Sequence, residues 1–220
     1  KRDPLVQDTG QTVASFSVGH KRISEAMAPN KGFEPTDSSK IPRYAEIASF
    51  MRSARAEIAK PLDIALVGVP LDLGATYRSG ARQGPSGVRE ASRLIRQVNP
   101  TTKVAPYRLC NIADVGDAPT HPLSVERSVE LIQAFYERIQ AIGAVPISIG
   151  GDHTVPLPIL RAIAKKHPLG LIQIDSHTDT FDEFMGTKCN HATFVRRAVE
   201  EGLLDPKRIL QIGLRGTRYG

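Results

Sequence analysis

Two short apolar segments separated by a helical segment constrain the fold of this chain more than any other feature. Residues 145–150 and 169–174 are apolar runs, and residues 156–166 between them predict a helix. A strand, a crossover helix and a second strand form a β-α-β unit, in which the connection is right-handed and the strands are parallel. We therefore expect the two strands to pair in parallel and to end at the same edge of one sheet.

The same alternation of strand and helix continues through most of the chain. The sequence predicts strands at residues 63–70, 107–112, 145–150, 169–174 and 208–214, and helices at residues 43–59, 85–98, 124–142, 156–166 and 193–201. Strands that are apolar on both faces are typical of parallel sheets covered by helices, so the predicted fold class is α/β with a mostly parallel sheet. Residues 1–42 lack sustained periodicity and predict an irregular N-terminal arm, which precedes one α/β domain over residues 43–220.

Charge and composition exclude several classes of protein. The net charge is +6, but Lys and Arg are scattered, aromatic residues make up only 5% and Trp is absent. A basic stripe with stacking aromatics is typical of nucleic-acid binding, so we expect no nucleic-acid partner. No apolar run approaches the roughly 20 residues that span a bilayer, so we expect no membrane partner. The two cysteines form no spaced motif, which favours a reducing compartment; we expect a cytoplasmic protein, with an organelle as the alternative.

A glycine-containing loop at residues 71–84 follows the first clear strand. It carries neither G-x-G-x-x-G nor G-x-x-x-x-G-K-[ST], so a phosphate cradle is disfavoured. Ligands of α/β sheets bind at the carboxyl ends of strands. We therefore interpret this loop as part of the rim of an active site.

Four candidate metal ligands follow the two strands of the β-α-β unit. Asp175, His177 and Asp179 stand at alternate positions after residues 169–174, and His153 follows residues 145–150. In extended backbone, alternate side chains project from one face, so the first three can converge. The crossover brings His153 to the same edge. Two carboxylates and imidazoles suit a divalent cation, whereas the alternative is a polar loop cluster without metal.

The motifs that contain these residues resemble those of a known family. Gly-Gly-Asp-His-Thr at 150–154 and Asp-Ser-His-Thr-Asp at 175–179 are similar to ureohydrolase motifs, the family of arginases, agmatinases and guanidinobutyrases. The resemblance continues through residues 68–72, 77–85, 190–198 and 211–216. The segments at 175–215 are more similar to the agmatinase and guanidinobutyrase branch than to arginases proper.

The resemblance implies a three-layer α/β/α fold and a binuclear Mn²⁺ centre, with Ni²⁺ or Co²⁺ as alternatives. His153 and Asp179 would bind one metal, His177 the other, and Asp175 would bridge both. His191 matches the family's loop histidine, which transfers a proton or contacts substrate, and Asp179 would accept a hydrogen bond from the attacking hydroxide. The implied reaction is hydrolysis of a small cationic guanidino compound (agmatine, 4-guanidinobutyrate or guanidine) to urea and an amine. The family also implies a homo-oligomer, a trimer or hexamer.

Two departures from the family pattern affect this interpretation. Ala192 stands where the family commonly has Gly after its loop histidine. The family also completes its metal sites with a later S-x-D-x-D strand, and the sequence stops before such a motif. We therefore expect the N-terminal portion of a ureohydrolase-like domain, inactive by itself. A metal-deficient subunit or fragment without activity and a related metal-dependent deacetylase remain the alternatives, and a metallophosphoesterase is disfavoured because its motifs occur in another order.

Overall fold

The computed structural model describes residues 32–216 and contains four α-helices and six strands within them. The helices are α1 (Gly84–Ala91), α2 (Val125–Ile142), α3 (Pro156–Ile163) and α4 (Phe194–Glu200). The strands are β1 (Ala54–Arg55), β2 (Ile64–Val69), β3 (Ile112–Asp117), β4 (Val145–Gly150), β5 (Leu169–Ile174) and β6 (Leu204–Ile212). Most of the predicted N-terminal arm lies outside the described residues, and the domain boundary at residue 43 stays a prediction.

All paired strands of these elements run parallel, which confirms the predicted fold class. One sheet has four strands in the order β1-β3-β2-β4, and the other consists of β5 and β6. Strand β2 is central: Ala65 lies opposite Ala113 of β3 on one side and opposite Pro146 of β4 on the other. Within residues 32–216, no helix is both long enough and apolar enough to cross a lipid bilayer.

The core lies between β2 and the longest helix. Val67 and Val69 of β2 pack in one cluster with Ile132, Tyr136 and Ile139 of α2, and all five are fully buried. Residues apolar on both strand faces are expected where helices cover a parallel sheet. A second cluster joins α3, α4 and β6. Helix α3 contributes residues to both clusters, so it connects the two sheets.

Helix α2 forms as its sequence predicts. The Ser124 hydroxyl accepts a hydrogen bond from the Arg127 backbone N–H at 3.1 Å, which satisfies one unpaired donor of the first turn. Gly143 ends the helix with φ 78°, a left-handed conformation that glycine adopts without steric cost. Residues next to the helix in sequence therefore determine where it begins and where it ends.

The helix predicted at residues 43–59 does not form. The Arg93 guanidinium binds the backbone carbonyls of Arg43, Ala45 and Glu46, which a helix would need for its own hydrogen bonds. Positive φ angles at Glu46, Met51 and Arg52 also break any helical path. This segment instead contains a short 3₁₀ turn (Phe50–Arg52) and the two-residue strand β1.

The strand predicted at residues 107–112 lies later in the chain, at β3. The Asp114 carboxylate, which suggests a turn in the sequence, is buried and accepts hydrogen bonds from the Phe50 N–H and the Arg89 guanidinium. These hydrogen bonds compensate the negative charge of Asp114, which lies inside a buried strand. Helix α1 is shorter than predicted, and its expected inward residues Val88, Leu94 and Ile95 are exposed.

Strands β4 and β5 were expected to pair, and among the described residues they do not. Strand β4 pairs with β2, and β5 pairs with β6. The unpaired edges carry exposed apolar side chains, among them Ile147, Ile172 and Ile174. A β-α-β pattern fixes the direction of two strands but does not require them to be neighbours. Their carboxyl ends nevertheless meet.

Candidate metal centre at the strand ends

His153 is placed by a tight turn after β4. Gly151 packs so closely against the backbone of Leu71 that a Cβ atom there would overlap the Leu71 carbonyl oxygen. The Asp152 carboxylate accepts hydrogen bonds from the Thr154 N–H at 2.7 Å and from the Gly74 N–H at 2.8 Å. Asp152 therefore fixes the turn that carries His153 and ties it to the loop at residues 71–84.

Asp175 and Asp179 follow β5, but not in the extended backbone that alternate positions suggested. The chain bends at residues 175–177, where the Asp175 carboxylate accepts the His177 N–H at 2.9 Å. Asp179 has φ 50°, in the left-handed region. The Gln173 side-chain amide donates to Asp179 Oδ2 at 2.9 Å. The two aspartates are thus oriented by a bend and by a buried amide rather than by strand geometry.

The two carboxylates converge on the His153 imidazole. His153 Nδ1 lies 2.6 Å from Asp179 Oδ2 and 3.2 Å from Asp175 Oδ2. One potential ligand atom from each of the three residues lies within 4.8 Å of the others. Asp179 is buried, with 5% of its surface exposed. The structure therefore places three of the four candidate ligands, which follow β4 and β5, close together.

The charges in this cluster favour a bound cation. Burial lowers the pKa of the His153 imidazole, but its hydrogen bond to Asp179 and the nearby carboxylates outweigh burial and raise the pKa above its ordinary value. Partial burial raises the pKa of the Asp175 carboxyl, yet the His177 N–H and the charge of His153 lower it overall. The cluster thus stabilises positive charge between two carboxylates. Oxygen and imidazole ligands together fit a divalent ion such as Mn²⁺.

His177 lies beside this cluster without joining the three-residue group. Its side chain is 69% exposed, and its Nδ1 is 3.7 Å from Asp175 Oδ1 and 3.1 Å from the Ser176 hydroxyl. Gly216 lies against the ring, so closely that a Cβ atom there would come within 2.7 Å of it. The two oxygens of Asp175 consequently face two different histidines.

His191 shares a cavity of about 720 Å³ with His177 and Asp179. Its Nε2 atom is 3.0 Å from the Thr76 hydroxyl, and the Phe184 ring meets it edge-on at 5.9 Å between centroids. Thr76 belongs to the loop at residues 71–84, so this loop does line the cavity. Ala192 is buried with its N–H bonded to Asn190 Oδ1 at 2.9 Å, so its methyl group is accommodated.

Sequence reasoning missed the residues that hold the ligands in place. Gln211 donates its side-chain amide to Gln173 Oε1 at 2.6 Å and to the Thr178 carbonyl at 2.8 Å, and Gln173 in turn binds Asp179. One signal was available, because a lone amide inside an apolar strand requires a polar partner when it is buried. Nothing comparable marked Thr76, whose partner lies more than a hundred positions away.

Known proteins resemble this chain both in sequence and in structure. The sequence model of the arginase family matches residues 62–220. Guanidinopropionase of Pseudomonas aeruginosa is 46% identical over 187 residues, which cover 84% of this chain and 59% of that protein. The mitochondrial guanidino acid hydrolase of Homo sapiens is 44% identical over 204 residues, 92% of this chain and 57% of that protein. The solved structure of proclavaminate amidino hydrolase from Streptomyces clavuligerus has a TM-score of 0.77 at 36% identity, covering 80% of this chain and 59% of that one. The chain thus spans less than two thirds of the length of each.

Proposed function

The chain belongs to the arginase family, and from that premise we propose that the whole protein is a metal-dependent amidinohydrolase. It cleaves a C–N bond of a small guanidino compound and releases urea and an amine. The convergence of Asp175 and Asp179 on His153, at the edge of a cavity that also contains His177 and His191, carries the proposal.

In this proposal His153 and Asp179 would hold one divalent ion, His177 would hold a second, and Asp175 would be a ligand shared by both. The support is geometric: Asp175 Oδ2 is 3.2 Å from His153 Nδ1, whereas its Oδ1 is 3.7 Å from His177 Nδ1. Carboxylate and imidazole ligands favour Mn²⁺, with Ni²⁺ and Co²⁺ as alternatives. When bound, such ions lower the pKa of a water molecule and supply a nucleophile at neutral pH.

The chain's own side chains bind the substrate and move its protons. A guanidinium group is a planar cation, and the stacked rings of Phe181 and Phe184, 5.6 Å apart, offer it an aromatic surface in the same cavity. Asp179 accepts a hydrogen bond from the nucleophile. His191, whose Nε2 atom lies 3.0 Å from the Thr76 hydroxyl, donates a proton to the leaving amine, since a positioned imidazole can act as a general acid.

The names of the relatives narrow the substrate class. Guanidinopropionase, guanidinobutyrase and agmatinase are named for small linear guanidino compounds, and each is more than 40% identical to this chain over the matched residues. We propose a substrate of this class. Homo-oligomeric assembly as a trimer or hexamer and a cytoplasmic location belong to the same proposal. A mitochondrial location is the alternative, because the guanidino acid hydrolase of Homo sapiens and the agmatinase of Gallus gallus are named mitochondrial.

The test is urea release by the whole protein. The substrates are 3-guanidinopropionate, 4-guanidinobutyrate, agmatine, arginine and guanidine, each assayed with Mn²⁺ after removal of bound metal by a chelator. Asp175→Asn is expected to reduce turnover to background, because it removes the carboxylate shared by both ions. Asp205→Asn, at the opposite end of the β5–β6 sheet, serves as the matched control. Urea from none of the substrates, or full activity of Asp175→Asn, refutes the proposal.

A further inference from the structure

A second cavity, of about 290 Å³, lies away from the strand ends. Its walls are the turn at residues 36–39, the segment from Arg43 to Arg52 and the chain after α1 at residues 95–98. It shares no lining residue with the cavity that contains His191. Three arginines line it, and Asp37 is the one carboxylate among its described lining residues.

Arg52 is the most unusual of these arginines because it is buried without a counter-charge. Its exposed fraction is 6%, and its Nη1 atom has no hydrogen-bond partner. Its Nη2 atom donates to the Ile41 carbonyl at 3.2 Å. Among the described residues, the hydrogen-bond acceptor given for this guanidinium is that backbone carbonyl rather than a carboxylate. A buried charge without a counter-charge is costly to the folded state, and an anion in the cavity would offset that cost.

The other charges around the cavity leave a net positive balance. Arg43 also has an unpartnered nitrogen, Nε, and Arg96 lines the same cavity. Asp37 is turned to other partners: its carboxylate accepts the Ser39 hydroxyl at 2.7 Å and lies 3.8 Å from Lys40 Nζ. With three guanidinium groups against one carboxylate, the cavity favours an occupant with two negative charges.

The walls are fixed before any ligand enters. Arg93 donates to the carbonyls of Arg43 and Ala45 at 3.0 and 2.9 Å. The Thr36 N–H donates to the Arg52 carbonyl at 3.0 Å, and the Met51 N–H donates to the Ser92 hydroxyl at 2.8 Å. These contacts hold the backbone of the cavity wall in place, so binding an anion needs to order only the arginine side chains.

We propose that this cavity is a binding site for a small dianionic oxyanion, held by Arg43, Arg52 and Arg96. Guanidinium groups bind phosphate and carboxylate oxygens through paired charge-assisted hydrogen bonds. The hydroxyl groups of Thr36 and Ser38 in the cavity wall provide further donors. A phosphate group and a dicarboxylate share the required chemistry. The site is independent of the proposed hydrolysis.

Binding is measured by calorimetric titration of the whole protein with inorganic phosphate and, separately, with malonate. Sodium chloride at matched ionic strength is the reference, since screening alone weakens any surface attraction. We expect saturable binding of phosphate or malonate and none of chloride. Tighter binding of phosphate would identify the ligand as a tetrahedral oxyanion, and tighter binding of malonate would identify it as a dicarboxylate with planar groups. Binding of neither anion above the chloride reference overturns the proposal.

Three variants locate the site. Arg96→Gln and Arg43→Gln are each expected to weaken binding about tenfold or more, the effect of losing one charge-assisted hydrogen bond. Arg55→Gln, which removes an exposed arginine outside the cavity, is the matched control and should bind as the wild type does. Arg52→Met removes the unpaired charge and should abolish the rise in thermal midpoint that phosphate causes; if it does not fold, the two glutamine variants decide.

Two outcomes contradict the assignment. Unchanged binding in both Arg96→Gln and Arg43→Gln places the anion elsewhere. If phosphate and malonate do not bind but the same two variants change the oligomeric state in size-exclusion chromatography, the cavity receives an acidic side chain of a neighbouring copy instead.

Discussion

Replacing Gln173 with leucine tests whether the buried amide behind the candidate metal centre orients a ligand. Gln173 is a buried polar residue of β5, and its Nε2 atom donates to Asp179 Oδ2 at 2.9 Å. The same oxygen lies 2.6 Å from His153 Nδ1. Gln173→Leu keeps the side-chain volume nearly constant and removes one of these two contacts. Asp179 then keeps its charge but loses a fixed orientation.

The magnitude follows from the kind of bond that is lost. A hydrogen bond to a charged group contributes about 1.5–3 kcal/mol, so the metal-free protein should lose a similar amount in its free energy of unfolding. Gln211 keeps one partner, the Thr178 carbonyl at 2.8 Å, which limits the additional cost. Removing a residue that orients a metal ligand typically weakens metal affinity about 10–100-fold. We expect that range for Mn²⁺.

Two measurements check this prediction on the whole protein. Urea unfolding in the presence of a chelator gives the stability change, and calorimetric titration with Mn²⁺ gives the affinity. The matched control is Gln133→Leu, because Gln133 also donates its amide to a carboxylate, Glu137 at 3.0 Å, but at the surface of α2. The control should change stability by about 0.5 kcal/mol or less and leave the affinity unchanged. Wild-type Mn²⁺ affinity in Gln173→Leu would show that Asp179 is not oriented through this amide.

Two further predictions concern a close contact and a buried hydroxyl. A Cβ atom at Gly74 would overlap the Thr154 hydroxyl, so Gly74→Ala should displace the loop that carries Thr76 and destabilise folding by about 1–3 kcal/mol in urea unfolding; Gly87→Ala, where a Cβ meets nothing, should not. Burial raises the pKa of Tyr136 to about 12 from 10.0. The folded state therefore binds the phenolic proton more tightly, and stability should fall by about 2 kcal/mol as pH rises from 10 to 12. Urea unfolding midpoints measured from pH 10 to 12 should therefore fall less in Tyr136→Phe than in the wild type. An equal fall in both proteins would contradict a raised pKa at Tyr136.

The parts of the fold that sequence predicted are those whose determinants lie close together in the chain. Helix α2 has its periodic apolar face, its Ser124 cap and its Gly143 terminator within one segment. Strand β2 is recognised by apolar residues on both faces. The four candidate ligands likewise stand in two short motifs. Each of these predictions needed only neighbours in sequence and a known local geometry.

The parts that sequence missed depend on distant partners. Nothing in residues 43–59 shows that Arg93 will bind three of their carbonyls and prevent a helix. Asp114 suggests a turn until Arg89 and the Phe50 N–H are seen beside its carboxylate. Sequence pattern alone predicts that a polar residue lies at the surface. Such a residue can be buried in the folded protein when distant residues satisfy its hydrogen bonds.

The candidate site is likewise held together by contacts that sequence neighbours alone do not reveal. His153 and the two aspartates follow strands that belong to different sheets, so no strand pairing between β4 and β5 fixes their separation in the described structure. Each side is held instead by hydrogen bonds to neighbouring elements: the Gly74 N–H donates to Asp152 on one side, and Gln173 donates to Asp179 on the other. Helix α3 joins the two sides through the packed core. Changes to these hydrogen-bonding side chains should therefore alter the site more than equally large changes at the exposed strand residues Ile147 and Ile172.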